Sequence, residues 1–163
     1  MKIIQHPSPN FREAKKRDIT LVVLHATATS KIGSPLEWLC DKESEKSAHY
    51  LIDTNGDIYQ LVQEDNIAWH GGFSEWKGKQ DPRHSVNGFS IGIEMVNPND
   101  GITTYPDAQM DAVTELCHDI LARRKNLTPG DFVGHLQVAT PLGRKNDPAG
   151  FDLEAFRNSL EVA

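Results

Sequence analysis

The sequence has few cysteines, and this scarcity excludes two kinds of protein. Cys40 and Cys117 are the only two in 163 residues, and neither belongs to a C-x-x-C pair. Both stand among apolar residues of helix-like segments, where a free cysteine behaves as a small hydrophobe. A disulfide framework is therefore not predicted, and a Cys-His amidase with an exposed thiolate is disfavoured.

The sequence also has no excess of positive charge and no long apolar run. The formal net charge is -6, whereas a nucleic-acid-binding surface would be basic. The one basic cluster, Arg12 to Arg17, is interrupted by Glu13 and is interpreted as a solvated surface turn. No apolar run approaches the roughly 18 residues that cross a bilayer. The opening segment MKIIQHPSPNFREAKKRD lacks the apolar core of a secretory signal. The sequence also contains no G-x-x-x-x-G-K-S/T loop, so an NTPase is not supported.

What is present indicates one globular α/β domain over residues 1–163. The hydrophobic fraction is 38% and the charged fraction 25%, both typical of globular chains. The segments ITLVVL (19–24) and FSIGIEMV (89–96) predict buried strands, FVG predicts a short strand before His135, and Asn55-Gly56 predicts a hairpin turn. Helices are predicted from Ser34 to near Lys46, from Pro106 to about 125, and over DLEAFRNSLEV (152–162). This order predicts a mixed central sheet flanked by helices.

Four of the seven histidines lie at or beside predicted strand ends, where sites in α/β sheets gather: His25, His49, His70 and His135. The other three, His6, His84 and His118, are interpreted as surface residues. A catalytic zinc ion requires three protein ligands and one open position. His25 and His135 each follow an apolar strand directly, so they are candidates for two of these ligands.

The loop GRKNDPAG offers a carboxylate as the third ligand. Pro148 favours an extended conformation at Asp147, and residues two apart on an extended segment point the same way. Lys145 and Asp147 are therefore expected to face one site. An ammonium group there could stabilise the oxyanion that forms when water attacks a carbonyl. The alternative is an ordinary surface turn.

Glu94 is the second unusual carboxylate, because it interrupts an otherwise apolar strand. Alternation places it on one face with Ser90, Gly92 and Val96. A carboxylate in that position must be paired, bound to metal or catalytic. Desolvation would raise its pKa and suit it to accept a proton from water. The alternative is a salt bridge, for which Lys145 is a candidate partner.

Taken together, these segments resemble the zinc-dependent N-acetylmuramoyl-L-alanine amidases, a superfamily that includes AmpD and AmiD amidases, phage amidase lysozymes and peptidoglycan recognition proteins. Five ordered motifs carry the resemblance over about residues 19–156: VVLHATAT, SAHYLIDTNGDIYQLV, IAWHGG, NGFSIGIEMVNP and VGHLQVATPLGRKNDPAG. Phage members have a tyrosine where this chain has Ala48, and Glu94 is present instead. The sequence therefore resembles the AmpD/AmiD type.

The resemblance implies roles for the candidate residues. It implies Zn²⁺ held by His25, His135 and Asp147, with Glu94 as the acid/base and Lys145 as the oxyanion-stabilising cation. It gives His49, Trp69 and His70 positions around the cleft, in contact with substrate or ligands. Trp76 could line the substrate groove or simply pack a loop.

The implied reaction is hydrolysis of the amide between the lactyl group of N-acetylmuramic acid and L-alanine. Some peptidoglycan recognition proteins lack the third ligand and bind without cutting, but Asp147 is present here. A structural zinc site would have four closely spaced Cys/His ligands, which these residues do not match. Peptidoglycan or muropeptide substrates and a monomeric state are expected. Synthesis in the cytoplasm is expected, and three settings stay open: recycling of muropeptides, phage endolysin, or envelope enzyme.

Overall fold

The computed structural model describes residues 1–161, in which eight strands and four α-helices are defined. The strands are β1 (Ile3–Gln5), β2 (Phe11–Arg12), β3 (Leu21–Ala26), β4 (Tyr50–Ile52), β5 (Ile58–Gln60), β6 (Ile67–Ala68), β7 (Ser90–Met95) and β8 (Phe132–Gly134). The helices are α1 (Gly33–Cys40), α2 (Asp107–Arg123), α3 (His135–Val138) and α4 (Leu153–Glu161). None of the helices in this part of the chain is long and apolar enough to cross a bilayer.

Six of the strands form one mixed sheet in the order β1-β5-β4-β7-β3-β8. The hairpin β4–β5 is antiparallel, while β3 runs parallel to both of its neighbours, β7 and β8. The strands β2 and β6 form a separate antiparallel pair. The carboxyl ends of β3, β7 and β8 therefore meet at one edge of the sheet, where ligand sites form in such folds.

Alternation along β3 and β7 divides their side chains between two faces. Val22 and Leu24, together with Ile91 and Ile93, belong to the main core, which α2 and α4 cover. The opposite face carries His25 on β3, and on β7 it carries the Ser90, Gly92 and Glu94 set that alternation predicted. Because β3 and β7 pair in parallel, His25 stands directly beside Glu94.

The helix α2 packs one apolar stripe onto the main core. Val113, Leu116, Cys117 and Ile120 are fully buried against the sheet. The predicted hairpin is confirmed as well, with Gly56 at φ +88° in its turn. A mixed sheet with helices packed on it is thus the architecture, as expected from the sequence.

Three predicted boundaries were wrong. The first helix ends at Cys40 rather than near Lys46, because Asp41 is extended and its carboxylate caps a separate 3-10 turn at Lys42–Ser44. The strand predicted over 19–24 runs from Leu21 to Ala26, since pairing with β7 continues through His25. The last helix begins at Leu153, and Val162, its predicted last residue, lies outside the described residues.

Candidate active site

Three side chains that lie far apart in the sequence converge at the carboxyl edge of the sheet. His25 is near the end of β3, His135 is the first residue of α3, and Asp147 lies in the following loop. Asp147 Oδ2 is 3.4 Å from His25 Nδ1 and 3.1 Å from His135 Nδ1. All three residues are buried, and their ligand atoms lie within 4.8 Å of one another. The structure therefore brings together the three predicted metal-binding side chains.

The hydrogen bonds of the two imidazoles indicate which ring nitrogen carries the proton. His135 Nε2 lies 3.1 Å from the carbonyl oxygen of Gly71, which can only accept, so His135 donates there. His25 Nε2 lies 3.0 Å from His70 Nδ1. Burial is the main cause that lowers the pKa of His25 to about 4, and the nearby His135 is the second cause. The ring is therefore neutral near pH 7.

The proton of His70 is fixed by Ser90. The Ser90 hydroxyl donates its single proton to the Val86 carbonyl oxygen at 2.8 Å, so Ser90 Oγ accepts from His70 Nε2 at 3.1 Å. Burial and the neighbouring His25 lower the pKa of His70 well below its ordinary value, which leaves Nδ1 unprotonated. His70 Nδ1 then accepts from His25 Nε2. The Nδ1 lone pair of His25 consequently faces the Asp147 carboxylate, and Nδ1 of His135 lies 3.1 Å from the same carboxylate oxygen.

This arrangement places one nitrogen of each imidazole and a carboxylate oxygen within 4.8 Å of one another. Imidazole nitrogens and carboxylate oxygens are the protein ligands that a divalent cation such as zinc takes. Nitrogen and oxygen ligands in a group of three, with second hydrogen bonds that orient the rings, are typical of a catalytic zinc site. The residues present thus fit a divalent metal ion.

Glu94 lies beside this cluster on the floor of the cleft. Its Oε2 atom is buried, and no group of residues 1–161 donates a hydrogen bond to it. Burial, and secondarily Asp147, raise the pKa of Glu94 to about 8, although Lys145 opposes the shift. The alternative of a salt bridge to Lys145 is not found among the described side chains. Glu94 is therefore an unpartnered carboxyl group beside the candidate metal ligands.

The cleft above these residues has a volume of about 460 Å³. Lys145 lies on its rim and is exposed, and both Lys145 and Asp147 line the space, as their spacing predicted. Trp69 and His70 also line it. The cleft is thus bordered by a cation, a carboxyl group and an aromatic side chain.

Two other candidates lie outside the cleft lining. His49 is fully buried, accepts a hydrogen bond at Nδ1 from the backbone N–H of Gly92, and donates from Nε2 to the Asn66 carbonyl. It supports β7 from below rather than facing the space above. Trp76 is half-buried against the cluster that contains Val138, which matches the loop-packing alternative.

Sequence reasoning missed two residues that line the cleft, Trp38 and Arg144. Trp38 on α1 is 56% exposed and lines the cleft, and a tryptophan outside the apolar stripe of a helix was the available signal. Arg144 donates to the carbonyls of Thr140 and Phe73 at the cleft rim. No local pattern distinguishes Arg144 from a surface arginine, because its partners are backbone carbonyls, one of them at Phe73, which is distant in the chain.

Arg17 corrects the interpretation of residues 12–17 as a solvated turn. Its guanidinium donates to the carbonyls of Glu64, Asn66, Asn87 and Ser90, which belong to two separate segments. Burial lowers the pKa of Arg17 to about 10, so it remains charged near pH 7. Arg17 therefore ties the segment before β6 to the start of β7, directly behind His70.

Comparison with known proteins agrees with this geometry. The sequence profile of the family described as N-acetylmuramoyl-L-alanine amidase matches residues 15–150. The chain belongs to that family. Among curated proteins, it is 36% identical over 116 residues to the 1,6-anhydro-N-acetylmuramyl-L-alanine amidase AmpD of Haemophilus influenzae. This match covers 71% of the chain and 59% of that relative, so the chain spans little more than half the relative's length.

Solved structures confirm the fold. The crystal structure of a selenomethionine derivative of AmpD superposes with a TM-score of 0.78 at 26% identity, covering 96% of this chain and 93% of that one. AmiD from Escherichia coli, solved with the substrate anhydro-N-acetylmuramic acid-L-Ala-D-γ-Glu-L-Lys, gives a TM-score of 0.73 at 33% identity. That match covers 91% of this chain and 60% of AmiD.

Proposed function

We propose that this protein is a zinc-dependent N-acetylmuramoyl-L-alanine amidase. The observation that carries the proposal is the convergence of two imidazoles and one carboxylate beside an unpartnered carboxyl group in an open cleft. The likeness to AmpD and to AmiD supports the choice of substrate, since both proteins carry muropeptide amidase names. The bond to be cut is the amide between the lactyl group of N-acetylmuramic acid and L-alanine.

His25, His135 and Asp147 would hold the zinc ion. The donor set of two nitrogens and one carboxylate oxygen matches the ligands that zinc takes in hydrolases. When bound, zinc lowers the pKa of water and stabilises negative charge on a carbonyl oxygen. Asp147 offsets one of its positive charges.

Glu94 would serve as the acid/base that moves protons during the reaction. Its pKa of about 8 lies near working pH, where a carboxyl group both accepts and releases a proton readily. In its ionised form it takes a proton from the attacking water molecule at a carboxylate oxygen. It then gives that proton to the departing nitrogen of L-alanine, so that the amine leaves in neutral form.

Lys145 would stabilise the oxyanion that develops on the lactyl carbonyl. It lies on the same loop as Asp147, two residues earlier, and both line the cleft. A fixed ammonium group at this position gains strength as the carbonyl oxygen becomes negative. Trp69, on the cleft wall, would contact the substrate near the scissile bond.

The proposed site draws its metal ligands, the acid/base Glu94 and the cation Lys145 from one chain, between His25 and Asp147. This supports a single catalytic domain that acts as a monomer, which light scattering would test. Recycling of fragments and attack on intact wall are both compatible with such a cleft.

The deciding experiment offers the protein two substrates, intact sacculi and 1,6-anhydro-muropeptides, with and without chelator. Mass spectrometry should find free stem peptides that begin with L-alanine, together with the sugar carrying its lactyl carboxylate. Chelation should stop the reaction, and added Zn²⁺ should restore it. If chelator-treated and untreated protein cut equally, the zinc assignment is wrong; if neither substrate is cut at that bond, the amidase proposal is wrong.

A further inference from the structure

We propose that Asn87 is a positioning residue for the metal centre, acting through the dipeptide His70-Gly71. This inference rests on the proposed function, because it concerns the same metal ligands. Asn87 makes no hydrogen bond to the metal ligands and does not itself line the cleft, but it hydrogen-bonds His70 and Gly71, which do. It holds the segment that orients both metal-binding imidazoles.

The two imidazoles donate hydrogen bonds from Nε2 to consecutive residues, His70 and Gly71. His25 Nε2 donates to the ring of His70 at 3.0 Å, and His135 Nε2 donates to the carbonyl oxygen of Gly71 at 3.1 Å. These bonds fix the tautomer and the plane of each ring. A displacement of the dipeptide would therefore move the Nδ1 atoms of both imidazoles together.

One atom of Asn87 holds both backbone N–H groups of the dipeptide. The side-chain oxygen Oδ1 accepts hydrogen bonds from the backbone N–H groups of His70 at 3.3 Å and Gly71 at 2.8 Å. Space around Gly71 is tight, because a Cβ atom there would lie 3.1 Å from this oxygen and 2.9 Å from Ser74 Oγ. The dipeptide is thus held against Asn87 on one side and the imidazoles on the other.

Asn87 is itself well anchored. It begins the 3-10 turn Asn87–Phe89 that leads into β7, and its carbonyl accepts from Arg17 at 2.8 Å. The strand β7 carries Glu94 and Ser90. Asn87 therefore fixes the ligand-orienting segment to the strand that carries the proposed acid/base.

The test compares Asn87→Ala and Asn87→Asp with a matched control, Asn126→Ala. Asp retains an oxygen acceptor at the same position, whereas Ala removes it. Asn126 donates to the Ile19 carbonyl at 2.7 Å, near the beginning of β3 and far from its ligand-bearing end. Zn²⁺ dissociation constants are measured by competition with a chelating dye, Co²⁺ loading by visible absorption, and metal-free stability by urea unfolding.

Asn87→Ala should weaken Zn²⁺ binding by about 10- to 100-fold and alter the Co²⁺ spectrum, as losses of ligand-orienting groups do. Asn87→Asp should restore affinity to within about threefold of wild type, and Asn126→Ala should lower stability while leaving affinity and spectrum unchanged. The inference is overturned if Asn87→Ala binds like wild type, if Asp fails to rescue it, or if Asn126→Ala weakens binding as much. If the wild-type chain itself binds neither ion, the proposed zinc site is wrong, and the role of Asn87 falls with it. If only the Asn87 variants depart from expectation, the zinc site stands and the inference about Asn87 is wrong.

Discussion

Two buried carboxylates, Glu64 and Asp147, have similar exposure, 7% and 8%, but opposite surroundings. Glu64 accepts hydrogen bonds from the guanidinium groups of Arg123 and Arg124 and from the Tyr50 hydroxyl. Burial alone would raise the pKa of Glu64, but these donors outweigh it and lower the pKa to about 2. Asp147 instead faces the Nδ1 atoms of two imidazoles, His25 and His135.

This difference distinguishes a cluster that stabilises the fold from one that is suited to bind a metal ion. The cluster around Glu64 has donors for its acceptors and needs nothing further, so its role is to join α2 to the segment that follows β5. The cluster around Asp147 instead offers three ligand atoms to a cation, beside the unsatisfied Oε2 atom of Glu94. A buried polar group that is left unsatisfied costs stability, and such a cost persists in proteins mainly where function requires it.

The largest expected effect comes from removing Asp147. Asp147→Ala should weaken Zn²⁺ affinity by more than about 100-fold, because losing a ligand exceeds the loss of an orienting group. Activity should disappear with the metal. Elemental analysis after dialysis measures the metal content. Full zinc occupancy in this variant would assign the third ligand to another residue, with His70 or His49 as the candidates.

Removing Glu94 should separate binding from catalysis. Glu94→Ala should lower kcat by about 100- to 10,000-fold, the usual contribution of an acid/base group, while zinc content stays at the wild-type level. The rate is followed by release of stem peptide. Near-full activity in this variant would show that another group moves the proton.

Breaking the hydrogen-bonded cluster around Glu64 should lower stability and leave metal binding unchanged. Glu64→Ala should lower the free energy of unfolding by about 3 kcal/mol, the lower end for a broken buried ion pair, since Arg123 is partly exposed. Zn²⁺ affinity should not change. Asp119→Ala, which removes only the surface pair with Arg123, is the control and should cost less than about 0.5 kcal/mol by urea unfolding. A loss of metal binding in Glu64→Ala would contradict the separation of the two clusters.

The smallest expected effect is a difference in pH dependence. In the folded protein the pKa of Glu94 is about 8, which is above its ordinary value. The contribution of Glu94 to the free energy of unfolding is therefore complete below about pH 4.5 and is lost as the pH rises to 8. In chelator, Glu94→Gln should therefore gain stability relative to wild type over this range. We expect about 1–2 kcal/mol, less than a full 1.36 kcal/mol per pKa unit, because the side chain borders the cleft. A constant difference between pH 5 and 8 would contradict the raised pKa.

The sequence predicted those parts of the site that depend on local patterns. His25 and Glu94 stand out because polar residues interrupt apolar strands, and Lys145 and Asp147 share a face because the loop is extended. Arg17, Asn87 and Arg144 could not be found in this way, since their partners are backbone carbonyls or N–H groups brought together by folding. Similarly, the first helix was predicted too long because its apolar spacing does not reveal that Asp41 caps a new turn.

Gly92 shows how this site constrains changes to the chain. A Cβ atom at Gly92 would lie 2.4 Å from Cγ of His70, so the ring occupies the space that any other residue would fill. Replacing a strand glycine with a β-branched residue normally favours the sheet. Here the same replacement would displace the ring that orients His25, so efforts to make the protein more heat-resistant should leave this position untouched.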